Sequence, residues 1–313
     1  MPGSSLKKAW RDRREEFRDV GRHFLLRREF SAGEHPFATL RSVLRPRKTI
    51  LFFPERPSLD SVAYKLCALL GFAITNNPRR QFDVAFKLKD ATFCDAAELQ
   101  NISAGAKKII NVRSLDISKR AVAKAFGEVF GYAIEVIPTQ YGGRLVEKSN
   151  HNARHDGRVR QGPLAPVEVC PECVYQKAID NTPDNNGLVL DHRVPVHGDR
   201  VPLVYLKYRP VETRFSNANT LVKLEAPEAV FSPEELDRIL LLAGKMGIDY
   251  GEFDVLRDKD RRIYVVDANN TPHGPPNGLA ERESKIALER LAKSFDRLLE
   301  QWIHTPGQSH DTT

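Results

Sequence analysis

Cysteine is scarce in this chain of 313 residues: Cys67, Cys94, Cys170 and Cys173 are too few and too scattered for a disulfide-stapled scaffold. Cys170 and Cys173 form one C-x-x-C, but Cys67 and Cys94 make no second pair, so neither a closed four-cysteine zinc site nor a redox function is expected. Long apolar runs are missing as well. None approaches the roughly 20 residues that cross a bilayer. The opening stretch MPGSSLKKAWRDRREEF has no apolar core of the secretory type, and a cytoplasmic protein without a membrane span is the expectation. An excess of one charge is absent from most of the chain. The net charge is +7, yet residues 1–48 hold 13 Lys+Arg and 6 Asp+Glu, which leaves 35 of each sign for residues 49–313. The basic excess therefore belongs to an N-terminal arm, 1–48, read as a solvated, partly helical extension. Nucleic acid is not an expected partner except through that arm. What remains is an ordinary globular composition, 41% hydrophobic and 28% charged, long enough for two or three packed layers.

Phe17, Val20, Phe24 and Leu25 recur at helical spacing between Asp12 and Arg28 and predict an amphipathic helix. Thr49–Phe53, Phe82–Leu88 and Lys108–Val112 read as buried strands. Ser58 is the candidate cap of a helix carrying Val62, Leu66, Leu69 and Leu70 up to Gly71. Asp116 and Ser118 open another through Val122, Phe126 and Phe130 to Gly131. Strands alternating with helices predict a small parallel α/β domain over 49–135. Ser232-Pro233-Glu234-Glu235 has the form of a helix start with a capping box, and a last amphipathic helix is expected from about Glu281 to Trp302. Residues 305–313 read as a disordered tail.

The most informative stretch runs from Asp249 to Pro276, DYGEFDVLRDKDRRIYVVDANNTPHGPP. Strict alternation places Glu252, Asp254 and Leu256 on one face of a strand and Ile263, Val265, Asp267 and Asn269 on one face of the next. The charged turn Asp258–Arg261 folds the two back on each other, so that Asp254, Asp267 and Asn269 converge. Two carboxylates and an amide oxygen are hard ligands, suited to Mg²⁺ bridging a nucleotide phosphate, with Mn²⁺ as a substitute. A solvated hairpin with its acids in water is the plain alternative.

Asp254 to Arg257, the thirteen-residue step to Asp267 and the string D-A-N-N-T-P-x-G resemble the C-terminal metal-binding hairpin of ATP-grasp enzymes, in which Asp267 stands where a glutamate is usual. The resemblance runs from Thr49 to Ile303, weakly at first and strongly from Lys148. It implies an α/β (α+β) chain: a small N-terminal parallel domain, then two α+β subdomains over 136–304 that sandwich ATP. Lys148, ending the strand Leu145–Lys148, matches a lysine that contacts nucleotide phosphates. The next loop has one glycine, Gly157, where the family is glycine-rich, and offers Asn152, His155 and Arg154 as donors instead. The pair His151 and His155, without a third ligand nearby, reads as loop rather than metal site. Val174–Asp180 is similar to the family's hinge against adenine, which places Gln176, Ile179 and Asp180 at the nucleotide, Gln176 where an acid is usual. Asp191-His192-Arg193 and Arg214-Phe215-Ser216-Asn217 look like stretches of the glutathione-synthetase and ribosomal-protein-glutamate-ligase branch. By that likeness Arg193 and Arg214 meet the transferred phosphoryl group and Asn217 lies at the nucleotide, with Lys207 and Arg209 as secondary candidates.

The resemblance implies an ATP- and Mg²⁺-dependent ligase that turns a small-molecule or peptide carboxylate into an acyl phosphate for attack by an amine or similar nucleophile. Two alternatives stand beside it: a small-molecule kinase, and a nucleotide-binding module without catalysis. The substrate, the nucleophile and any homo-oligomer are left open by the sequence.

Overall fold

The computed structural model describes residues 18–19, 21–23, 25–26, 47–99, 102, 109–183, 187–216 and 218–304, and shows a mixed α/β chain built on three sheets. The first is parallel, ordered β2-β1-β3-β4, from β1 (Thr49–Pro54), β2 (Ala73–Thr75), β3 (Val84–Leu88) and β4 (Ile109–Ile110). Helix α1 (Val62–Leu70) joins β1 to β2. Its cap is Ser61, whose hydroxyl accepts from Tyr64 N at 3.3 Å, and not Ser58, whose carbonyl instead accepts the Ser61 hydroxyl at 2.7 Å. β3 begins two residues later than expected, and at its edge Asp83 N donates to Thr49 O at 2.9 Å while the Asp83 carboxylate accepts from Thr49 N at 2.6 Å. Helix α2 (Lys119–Phe130) starts at Ser118 and stops at the left-handed Gly131, as its sequence signals require.

Two antiparallel sheets follow. Three strands, β5 (Arg144–Ser149), β6 (Arg158–Gln161) and β7 (Cys173–Lys177), are ordered β6-β5-β7. Five more, β8 (Leu188–His197), β9 (Val204–Pro210), β10 (Leu221–Glu225), β11 (Tyr250–Arg257) and β12 (Ile263–Asn269), are ordered β10-β9-β8-β11-β12. A short helix α3 (Pro227–Val230) and then α4 (Pro233–Lys245), with the Ser232/Glu235 capping box formed in both directions, deliver the chain into β11. Helix α5 (Glu281–His304) closes the described chain.

The five-stranded sheet has two faces with opposite chemistry. Val194 and Val196, Phe253 and Val255, and Val265 point to one side, where α2 and α4 cover them in a core with Val122, Phe126, Ile239 and Leu242. Their alternating neighbours, Arg193, Glu252 and Asp254, point to the other. At one end of that second face Tyr205 and Tyr250 are buried under α5 and the parallel sheet, packed with Phe86, Phe295 and Leu291. The polar remainder is left to form a cleft. Burying one such side chain contributes roughly 2 kcal/mol, so both flanks of the polar strip are held by apolar packing.

The parallel sheet is clasped to the five-stranded one by Asn111, fully buried and in the left-handed region at φ 60. Its amide donates to Tyr250 O at 2.7 Å and accepts from Asp249 N and Tyr250 N at 2.8 and 2.9 Å, while Asp249 Oδ2 accepts from Asn111 N at 2.7 Å. Asn111→Ala removes three buried hydrogen bonds and puts a β-carbon residue where asparagine is favoured. Denaturant unfolding should show a loss of about 3 kcal/mol or more; Asn111→Gly, which tolerates the backbone, should lose less.

His192 and His197 are buried, and burial pushes their pKa down, to about 4 and about 3. His192 still contacts Val255 O through Nδ1 at 3.1 Å, and His197 stacks on Tyr250 with ring centroids 4.9 Å apart. Both stay neutral in the folded chain, whereas the unfolded chain binds protons below about pH 6.5, so each histidine costs stability as the pH falls. Glu252, raised by burial to about 7, acts in the opposite direction. His197→Phe should therefore lose about 2 kcal/mol less than the wild type between pH 7 and pH 5, as read from urea midpoints.

The expected N-terminal helix is helical at the described positions 18–19, 21–23 and 25–26, and Leu26 packs against the core. Asp19 and His23 are buried while Leu25, of the expected stripe, is 63% exposed; Phe17, Val20 and Phe24 lie outside the described residues. Asp19 pairs with Arg56 and accepts from the Tyr64 hydroxyl at 2.9 Å, which adds a desolvated ion pair to the packing of Leu26. The tail 305–313 also lies outside the described residues. No described helix is long and apolar enough to cross a membrane.

Candidate functional site

A cleft of about 760 Å³ lies between the polar face of the five-stranded sheet and the three-stranded sheet. Its floor follows from strand registry. Arg193 of β8 stands opposite Asp254 of β11, and Asp254 opposite Asp267 of β12, so a cation and two acids lie side by side across three strands. Lys207 and Arg209 reach in from β9. One correction to the sequence reading is structural. Between Asp254/Val255 and Asp267/Val265 the hairpin is bulged, leaving Val266 as an extra residue. Without that residue Asp267 would share the buried face of Ile263 and Val265; with it, Asp267 turns to the cleft, the way bulges re-aim side chains.

Charges here are paired and desolvated. Arg193 Nε is 3.2 Å from Asp254 Oδ1 and 3.5 Å from Glu252 Oε2, and Lys207 Nζ is 3.4 Å from Asp254 Oδ1. Burial works to raise the Asp254 carboxyl, but Arg193 and Lys207 overcome it and hold Asp254 well below the usual carboxylate range. Asp267 has no such close cation: Lys119 Nζ is 3.9 Å away, and burial raises its pKa against the pull of Lys119 and Lys148.

Opposite the floor, alternation in β5 turns Val146 and Lys148 to the cleft and Leu145 to a small core with Tyr175 and Leu164. Burial lowers Lys148 to about 8, with Asp267 opposing the shift; its ammonium donates to Val266 O at 3.2 Å, on the bulged residue. Gln176 lies in β7 opposite Val146, buried, and its Nε2 has no hydrogen-bond partner. Ile179 lines the same end.

The loop 150–157 closes one side. Asn152 donates to Ala268 O at 2.8 Å, so part of its donor set is spent on the protein, and Asp156 accepts from Ser149 N at 3.1 Å. Gly157 is required sterically: a β-carbon there would come within 2.6 Å of Phe215. His155 lines the cleft from a left-handed position at φ 52. Arg214 also lines it, donating to Ile179 O at 3.0 Å and Asn181 Oδ1 at 2.9 Å, which ties it to the segment after β7.

The structure thus brings Lys148, Asn152, His155, Gln176, Ile179, Arg193, Arg214, Asp254, Asp267 and Asn269 to one cavity. Asp180 is not among its lining residues; its carboxylate accepts from the Thr182 hydroxyl at 2.6 Å and Thr182 N at 3.2 Å. Asn217 lies outside the described residues. Sequence reasoning missed Lys119, which enters from α2 and donates to His151 O at 2.7 Å. A signal for it existed: a lysine in the first helical position opposes the helix dipole, and such a placement asks for another reason.

Whether a cation fits can be tested on the donor set. Asp267 Oδ1 and Glu252 Oε2 are buried without hydrogen-bond partners, and oxygens left so are what a hard cation needs. Asn269 Oδ1, by contrast, already accepts from Thr271 N at 2.9 Å. Among the described residues no group of three or more His, Cys, Asp or Glu could hold a metal, so Asp254, Asp267 and Asn269 amount to a partial shell that a ligand's oxygens would have to complete.

A three-stranded and a five-stranded antiparallel sheet facing each other across a cationic cleft, behind a parallel α/β layer, form the ATP-grasp fold. Solved structures bear this out. The ATP-grasp ligase PsnB complexed with the precursor peptide PsnA2 and AMPPNP aligns over 80% of this chain and 98% of its own, at 13% identity and a TM-score of 0.52. The D-cycloserine synthetase DcsG aligns over 80% of this chain and 99% of its own, at 12% identity and a TM-score of 0.51. At such identities the likeness is one of fold. No family model matches the sequence, and no curated protein matches it.

Proposed function

We propose that the cleft binds ATP together with Mg²⁺, and that the protein is an ATP-dependent ligase which activates a carboxylate as an acyl phosphate for attack by an amine or similar nucleophile. The observation that carries this reading is the single row Arg193–Asp254–Asp267, faced by Lys148 across the cleft. A cation beside two acids, with a lysine facing them, supplies both the positive charge a phosphate chain needs and the carboxylates its counter-ion needs. A volume of about 760 Å³ falls within the usual range for cofactor sites. Val146, Ile179 and Leu256 supply apolar wall for a base, and the unpartnered Gln176 amide supplies a donor.

In this reading Asp254, Asp267 and Asn269 hold the cation, which when bound would neutralise phosphate charge. Lys148 and Lys119 flank Asp267 and hold nucleotide phosphates. Arg193 and Arg214 face the transferred phosphoryl group, their charge fixed and their planar forks matched to its oxygens. The ATP-grasp fold and the AMPPNP in the PsnB complex support a nucleotide here, and the precursor peptide in the same complex keeps a peptide carboxylate among the substrates to test.

Lys148→Ala removes a charge-assisted hydrogen bond of roughly 1.5–3 kcal/mol and should raise the ATP requirement at least tenfold. An unchanged requirement would make Lys148 a purely structural lysine. The reaction class is tested with hydroxylamine as nucleophile. A ligase releases ADP and free phosphate only with its carboxylate and yields a hydroxamate; a kinase yields ADP and a stable phosphorylated product, which would overturn the ligase reading.

A further inference from the structure

Beside the cleft lies a second chamber of about 490 Å³, which shares Arg193, Lys207, Arg209 and His273 with it. Its far wall comes from other parts of the chain: Asp60 in the loop after β1, Lys65 on α1, Asn219 between β9 and β10, and the segment Gly274–Asn277. In the parallel sheet, β1 and β3 are neighbours from which the chain leaves toward opposite edges, to β2 and to β4. Ligands of open α/β sheets sit outside the carboxyl ends of strands at such a switch point. The loop after β1 lines the chamber and the loop after β3, through Asp90 and Thr92, lines the cleft.

Several lining groups lack partners. Arg209 is buried, and its Nε and Nη2 donate no hydrogen bond, although Nη2 lies 3.2 Å from Asp191 Oδ2. Asn219 Oδ1 is a buried acceptor without a donor. Lys65 donates to Gly274 O at 2.6 Å but is ion-paired with none of the described carboxylates, and burial lowers its pKa against the pull of Asp60. Four cations line the chamber against one acid, Asp60, and two of the acids that balance Arg193, Lys207 and Arg209, Asp254 and Asp191, line the cleft instead. The unpartnered donors, Arg209 Nε and Nη2, lie on β9, and Lys65, ion-paired with none of the described carboxylates, lies on α1.

We infer that this chamber takes the carboxylate substrate, and that the substrate is a small acid with two carboxylates and an N–H or O–H donor. One carboxylate meets the Arg193–Lys207–Arg209 wall, the other meets Lys65, and Asn219 accepts from the donor. The inference rests on the ATP-ligase reading for which carboxylate reacts, but the chamber's preference for a dianion is measurable by binding alone.

Protein loaded with Mg²⁺ and AMPPNP is titrated by calorimetry with matched acids: succinate, glutarate and adipate against propionate, butyrate and pentanoate. At least one diacid should bind about tenfold or more tightly than its monoacid, the scale of one charge-assisted hydrogen bond. Lys65→Met should bring the pair to within about threefold and Lys65→Arg should restore the difference, with thermal melts confirming that both variants fold. Diacids that bind no better than monoacids, no binding by any acid, or a diacid preference that survives Lys65→Met would each overturn the inference. Failure of AMPPNP to bind would sink the ATP reading instead. The same titrations on the nucleotide-free protein would then decide the chamber.

Discussion

Asp267→Asn should abolish carboxylate-dependent ATP turnover, by on the order of a thousandfold, while leaving the fold intact. The charge lost is the one that the bulge at Val266 turns toward the cleft, and its Oδ1 has no hydrogen-bond partner in the protein. An amide keeps the size but not the charge, so a cation held there loses a full ligand charge. Stability should hold, because burial already raises the Asp267 carboxyl and neutralising it relieves that cost. The variant is compared with the wild type for phosphate release over a range of Mg²⁺ concentrations, alongside a thermal melt. Near-normal turnover at saturating Mg²⁺ would remove Asp267 from the site.

Arg193→Met should be costly in both stability and activity. Arg193 is the cation closest to both Asp254 and Glu252, at 3.2 and 3.5 Å. Removing one partner of a buried ion pair leaves the other charge uncompensated, which costs about 3–5 kcal/mol. Part of the loss should be recovered at lower pH. Glu252, already raised to about 7 by burial against the pull of Arg193, would rise further and take up a proton. For an acid whose folded pKa lies above its unfolded value, stability grows as the pH falls through the folded value. The destabilisation of Arg193→Met should accordingly be smaller at pH 6 than at pH 8 in urea unfolding. A deficit that does not change with pH would mean that Glu252 is not the group left unpaired.

These two residues show how far the sequence could be read. Asp254, Asp267 and Asn269 were legible because a charged turn between two β-rich segments leaves little choice but a hairpin, and the string around them resembles a known metal-binding one. Their orientation was not, since period-2 reading has no mark for an extra residue: Tyr264-Val265-Val266 looks like any apolar strand, yet Val266 is the bulge. Lys148 and Gln176, placed at the nucleotide by the family resemblance, both line the cleft. Asp180, placed there by the same resemblance, is not among the lining residues, and its carboxylate accepts from the neighbouring Thr182 hydroxyl, a local contact that no family pattern records. In the N-terminal helix, Asp19 is desolvated by pairing with Arg56 from 37 residues away, and long-range pairs leave no periodic trace in a sequence.

The most direct measurement is calorimetric titration of ATP into the purified protein with and without Mg²⁺. The account predicts saturable binding at one site per chain that weakens sharply when Mg²⁺ is removed, and that is lost in Asp267→Asn. Absence of ATP binding, or binding of equal affinity with and without Mg²⁺, would contradict it.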